Sequence, residues 1–177
     1  MSWRNTVDRY GVIGQSLHWL VVAGIIASYF LAEAAEDQER GDLMGLHRSI
    51  GITILALAIL RVLWRLVDRA PHWPDTMARW ERAAARAVHA LFYALLFALP
   101  LTGWMISTTE GDAVTFFGWF ELPPLRVAAD EDALEDLHES LFNALVAFAA
   151  LHAAAALKHH FWDRDRVLRG MMPGRRA

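Results

Sequence analysis

Eight histidines and no cysteine occur in 177 residues. Six of the histidines, His18, His47, His89, His138, His152 and His159, fall within or at the ends of long apolar stretches. A polar ring in hydrocarbon is costly, so an intramembrane histidine is a functional candidate by default. One alone is explained by a hydrogen bond across helices to a serine or a backbone carbonyl. Six ask for a shared purpose. The lack of cysteine excludes disulfides, thiolate metal sites and covalent haem attachment through C-x-x-C-H. A haem bound here must be held non-covalently, by His or Met. No Gly-rich phosphate loop, G-x-S-x-G turn or low-complexity tract is present, no side chain reads as a nucleophile, and nothing points to a nucleic-acid partner.

Spacing turns the histidines into a geometry. His138 and His152 are 14 residues apart, which on a helix returns to within ~40° of the same face and separates them by ~21 Å along the axis. His159 follows seven residues later on the same stripe. One helix therefore offers two ligand levels. His47 opens the second apolar stretch on the acidic side, at the depth of His138, and that pair can clamp one iron. At the other level His18 lies nine residues inside Arg9 and His152 six inside Lys158, whereas His89 is three past Arg86 and His159 adjoins Lys158. The first two then sit roughly 9 to 14 Å below their flanking charges and the last two within about 5 Å. Depth pairs His18 with His152 on a second iron. It leaves His89 and His159 nearer the basic surface, where two imidazoles could exchange hydrogen bonds and protons with a quinone head group. An interfacial polar residue is the plainer reading of His89. His160 points off the stripe and His72 lies in a loop, so both read as solvated.

Arg61, 14 residues beyond His47, falls at the inner level and could pair with haem propionates; Arg48 has the same role open to it at the outer level, or could guide entry there. A topology-setting surface arginine is the rival reading of each. Gly103 and Gly51 could admit the edge of a flat macrocycle, or serve only helix contact.

These side chains must be carried by four stretches near 14 to 34, 46 to 66, 87 to 108 and 137 to 160, each apolar over the about 20 residues a helix needs to cross a bilayer. With 55% hydrophobic residues and eight tryptophans, the expected fold is all-α: a single-domain integral membrane four-helix bundle over residues 1 to 177. The first stretch is longer than a secretory h-region of about 7 to 15 residues and carries His18, so it reads as a retained span. Glu33, Glu36, Asp37, Glu39 and Asp42 crowd the first loop, and Glu110, Asp112, Glu121, Asp130, Glu131, Asp132, Glu135 and Asp136 the third. All basic residues except Arg40, Arg48 and Arg126 lie on the opposite side, so the positive-inside rule puts both termini in the cytoplasm. Trp19, Trp64, Trp104 and Trp162 lie near span ends, where an indole suits the headgroup level. Pro100 should kink the third span. The Arg-rich Trp80 to Arg86 stretch is expected as an interfacial helix after a turn, and Trp119 to Pro124 as an ordered loop outside the membrane.

The segments Gln15 to Trp19 (QSLHW), Leu46 to Gly51 (LHRSIG), Val88 to Gly103 (VHALFYALLFALPLTG) and His138 to His160 (HESLFNALVAFAALHAAAALKHH) together resemble the bacterial cytochrome b561 family through all four spans and into the basic tail. The resemblance implies a multi-pass inner-membrane cytochrome with two b haems, ligated by His18 and His152 on the inner side and His47 and His138 on the outer. It also implies ubiquinone contact at His89 and His159, and, for some members, oxidation of superoxide at the outer face. Here the chain departs from the pattern. Superoxide is an anion, and capture by steering wants positive potential around the entrance, whereas the outer loops are strongly acidic with Arg48 and Arg126 the nearest guides. Two other readings stay open: a haem-bearing membrane anchor for a dehydrogenase or hydrogenase, and a His-lined proton or metal transporter. The second lacks a carboxylate inside the bundle apart from span-end Glu139.

Overall fold

The computed structural model describes residues 2 to 37, 41 to 109 and 111 to 174. Glu39, Arg40, Glu110, Arg175 and Arg176, which enter the charge pattern, lie outside the described residues. The chain forms α1 (Val12–Asp37), α2 (Gly41–Val67), α3 (Arg79–Thr109), a two-stranded hairpin of β1 (Thr115–Phe116) and β2 (Phe120–Glu121), α4 (Glu131–Phe161) and a short α5 (Val167–Met171). The first four helices are long and apolar enough to cross a membrane.

Each helix outruns its apolar stretch, and in α3 and α4 polar groups stabilise the added first turns. Asp130 caps α4 by accepting from the Ala133 N–H at 3.2 Å, with Glu131 and Asp132 in the first turn and Lys158 in the last; acids at the start and bases at the end complement the helix dipole. Glu81 reaches back to the Ala78 N–H at 2.8 Å. The Arg-rich stretch expected as an interfacial helix is helical and forms the first part of α3, favoured by Ala83, Ala84 and Ala85. Pro100 is buried within α3.

Packing runs α1 on α2, α2 on α3 and α3 on α4. The core cluster is Val21, Ile54, Ala58 and Leu96, backed by Ile25, Ile50, Leu57 and Phe97. All of these come from the first three helices, and Gly24 lets α1 close on α2, since a Cβ there would lie 3.1 Å from Ile54 Cγ1. Toward α1 and α2, α4 presents rings instead: His138, His152, and Phe142 stacked on Tyr29 at 5.5 Å and 8°. The helix that carries His138 and His152 thus stands outside the aliphatic core.

At the basic end the N-terminal segment is tied down. The Asn5 N–H donates to Asp68 Oδ2 at 2.8 Å and the Asn5 carbonyl oxygen of the side chain accepts from the Gly11 N–H at 2.8 Å. Gly11 is needed there, because a Cβ would fall 2.4 Å from the Arg4 backbone. Gln15 and Trp19 donate to the Gly170 and Met171 carbonyls at 3.0 and 2.9 Å. Trp19 therefore fastens α1 to α5 in addition to lying near a span end. Trp162 is exposed, as an interfacial indole should be, but the indole nitrogens of Trp64 and Trp104 are buried without a partner among the described residues. His72 is exposed in its loop.

At the acidic end the expected loop is a hairpin. Phe117 and Gly118 take φ of 48° and 75° and Trp119 N–H donates to Phe116 O at 2.9 Å, the left-handed central pair of a tight hairpin turn. Its anchor is Ser49, 1% exposed, whose hydroxyl accepts from the Phe117 N–H and lies 3.1 Å from the Thr115 carbonyl. The hairpin is pinned two residues from His47.

Candidate functional site

Two pairs of imidazoles face each other across the bundle. His47 of α2 and His138 of α4 have ring centroids 6.4 Å apart with planes at 68°. His18 of α1 and His152 of α4 have centroids 6.5 Å apart with planes at 67°. A metal joined to one nitrogen of each ring needs two bonds of about 2 Å plus roughly 1.1 Å from nitrogen to centroid on each side, about 6.2 Å in all. Both pairs match that span. The four residues expected from sequence as iron ligands are brought together in the expected pairs.

The ring nitrogens away from the gap are held at the acidic end. His47 Nδ1 lies 2.9 Å from the Ser28 carbonyl and 3.0 Å from its hydroxyl. His138 Nδ1 lies 2.9 Å from Thr102 Oγ1, which itself donates to the Leu99 carbonyl at 2.8 Å. Both contacts place the hydrogen on Nδ1 and leave Nε2 with a lone pair, the form in which an imidazole ligates a metal. Ser28 and Thr102 carry no signal in the sequence beyond being hydroxyls inside apolar runs.

At the other level three histidines meet. His89 stands 5.5 Å from the His152 ring, too close for the span of the other pairs. It is deeper than its distance from Arg86 suggests, because Arg86 is exposed and a long side chain can snorkel to water from well inside a helix. Arg61 lies over the Tyr93 ring at 6.0 Å, and Tyr93 stands about one turn from His89 on α3. It therefore occupies the level expected of it.

His159 faces elsewhere. It is 5% exposed, and its Nδ1 lies 2.7 Å from Asp165 Oδ2 and 3.0 Å from Asp163 Oδ2. Lys158 joins Asp163 at 2.8 Å to Glu81 of α3 at 2.7 Å. Glu81, His159 and Asp163 converge closely enough to suggest a metal, but the Lys158 ammonium already sits against both carboxylates. Arg164, at φ of 53°, turns the chain back so that Asp165 reaches His159; that return follows no helical period, which is why spacing did not reveal it. Among the described residues no contact joins His89 to His159, so the two proposed quinone residues belong to different clusters. His160, expected to be solvated, is half-buried with its Nδ1 enclosed and its ring edge-on to Phe161 at 4.7 Å.

The arginines and glycines divide likewise. Arg48 forms an ion pair with Asp112 at 2.7 Å, while Arg126 is exposed. A Cβ on Gly103 would lie 3.2 Å from His138 Cε1, so this glycine makes room for the imidazole itself; at Gly51 the corresponding space is open.

A b-type haem fits the residues present. The paired ring spacings suit two imidazole ligands at each level, and α4 lies outside the aliphatic core formed by the first three helices. Met is not required as a ligand at either level.

Comparison with known proteins agrees with this chemistry. The family model for prokaryotic cytochrome b561 matches residues 9 to 174. The chain is 38% identical to cytochrome b561 homolog 2 of Escherichia coli (strain K12), over 97% of this chain and 95% of that protein. It is 30% identical to the probable superoxide oxidase CybB of Yersinia pestis, over 96% and 98%, and 28% identical to cytochrome b561 homolog 1 of Escherichia coli (strain K12), over 96% and 100%.

Proposed function

The chain belongs to the prokaryotic cytochrome b561 family, and on that footing we propose that it relays electrons across a bacterial inner membrane, from a one-electron donor at the acidic outer face to ubiquinone at the basic, cytoplasmic face. Family membership makes it a multi-pass membrane electron-transfer protein of the b-haem class. The proposal adds two haems, their ligands, the quinone and the orientation. The observation that carries it is the twin spacing of 6.4 and 6.5 Å in two imidazole pairs at opposite ends of one bundle.

Haem held by these residues would supply one-electron redox chemistry. His47 and His138 hold the outer site, His18 and His152 the inner one, and Arg61 is placed to balance propionate charge at the inner level. Reducing a quinone to quinol takes two electrons and two protons. His159, Asp163 and Asp165 form a hydrogen-bonded chain of proton-holding groups at the basic end, and this supports quinone chemistry beside His159. His89, adjoining His152, would lie between that chain and the inner site. Both termini then face the cytoplasm, where the basic residues gather.

The relative from Yersinia pestis makes superoxide the leading donor. Arg48, the cation beside His47, is paired with Asp112, so the outer face keeps its negative field. A negatively charged donor is repelled by that field, and salt screens the repulsion over a Debye length of about 10 Å at 0.1 M. Stopped-flow mixing of superoxide with the oxidised, ubiquinone-loaded protein should therefore show haem reduction that accelerates with ionic strength, followed by quinol formation. A rate that falls with salt would contradict the repulsive face. Haem reduction without quinol would remove the quinone from the reading.

A further inference from the structure

The outer nitrogens of His47 and His138 have acceptors, whereas that of His18 has none among the described residues. His47 Nδ1 is 2.9 Å from the Ser28 carbonyl, which can only accept, so the hydrogen lies on Nδ1. His138 Nδ1 is 2.9 Å from Thr102 Oγ1, whose single hydrogen is directed to the Leu99 carbonyl, so Oγ1 accepts from Nδ1–H. His18 Nδ1 is enclosed by protein and has no acceptor among the described residues. Enclosure also keeps that nitrogen away from a metal, leaving Nε2 as the ligating atom in all three rings.

An N–H···O bond on the far side of a ligating imidazole feeds electron density into the ring and raises its basicity. A more basic axial ligand favours the ferric state, and hydrogen bonding to axial ligands is one of the levers by which a protein sets a haem potential. We propose that Thr102 is a positioning residue which, together with the Ser28 carbonyl, makes the outer pair the stronger electron donors, so that the outer site holds its electron less tightly than the inner site. Arg61 acts in the same sense, since a positive charge near His18 and His152 favours the added electron there, whereas Arg48 at the outer end is offset by Asp112. With both haems bound, an electron would pass downhill from the outer site, which would be oxidised by one electron, to the inner site, which would be reduced by one. No proton or further reactant is needed. The inference rests on the two-haem reading given above.

Optical redox titration of the detergent-solubilised holoprotein tests it, with His47→Ala, which should retain only the inner site, assigning the two potentials. In the unaltered protein the outer potential should be the lower. Thr102→Val should raise it, so that the equilibrium constant for passing an electron from outer to inner site falls about tenfold, or about 59 mV for one electron, while the inner potential stays put. Thr102→Ser, which keeps the acceptor, should restore the original value. Ser28→Ala, which leaves the carbonyl in place, should change the constant less than threefold. An outer potential equal to or above the inner one in the unaltered protein overturns the proposal, even if Thr102→Val fails to hold its haem. So does a Thr102→Val protein with two haems and unmoved potentials, or a Thr102→Ser shift as large as that of valine. Fewer than two haems in the unaltered protein would strike the two-haem reading itself.

Discussion

His138→Ala should yield a protein that holds one haem where the unaltered chain is expected to hold two. The ring it removes is half of the His47 and His138 pair, whose 6.4 Å spacing suits one bridging metal. The other pair draws its α4 ligand from His152, 14 residues further along, or ~21 Å on a helix, too far for the vacancy to be felt directly. His47→Ala should have the same effect from the opposite helix. At the other level the outcome should be asymmetric. His152→Ala should empty the inner site, but His18→Ala should lose less, because His89 already stands 5.5 Å from the His152 ring and can take the missing place with a modest shift. Haem per chain and the reduced visible spectrum measure each case. Loss of both haems from His138→Ala in a folded protein, or of neither, would show that the pairs are wrongly drawn.

His159→Ala should reduce the rate of haem re-oxidation by ubiquinone by about 100-fold, the lower range of what a positioned proton donor or acceptor contributes, while two haems remain. His159 is the cleaner test of the quinone site, since His89 adjoins the inner ligands and its removal would disturb them as well. Asp165→Asn should have a smaller effect, about tenfold at most, because the amide oxygen can still accept from Nδ1 although the carboxylate charge is gone. Reduction of the haems from the donor side should be unchanged in both variants, which separates a quinone defect from a damaged relay. Unchanged re-oxidation in His159→Ala would remove this residue from the site, and the Asp163 and Asp165 chain with it.

Much of the scaffold is legible in the sequence, and the reasons are physical. Four helices crossing a bilayer need long apolar runs, and composition alone reveals those. His138 and His152 share a face because 14 residues close nearly four turns, so their alignment survives any uncertainty in helix ends. Depth was legible only where the flanking charge is a fair marker of the interface. It misplaced His89, because Arg86 can reach water from within α3. The acids that surround His159 could not be found by spacing, since Arg164 reverses the chain between them. Nor could the hairpin at Thr115 to Glu121 be seen: two-residue strands show no alternation, and their order comes from Ser49 on another element. The partners of the His47 and His138 rings, Ser28 and Thr102, are hidden for a similar reason. A hydroxyl in an apolar run has many uses, and only tertiary contact shows which one is made.

The acidic end of the bundle bears on the choice of donor, and Arg48 sharpens the point. As an isolated cation beside His47 it would draw an anion to the outer site, but its ion pair with Asp112 leaves that attraction largely cancelled. A superoxide-linked role therefore depends on reaction at the haem edge more than on long-range capture.

The central claim is that four histidines hold two haems. A haem assay set against protein concentration for the purified chain, with the dithionite-reduced spectrum recorded alongside, tests it most directly. Two b-type haems per chain is the expected result, and one or none in fully loaded protein would contradict it.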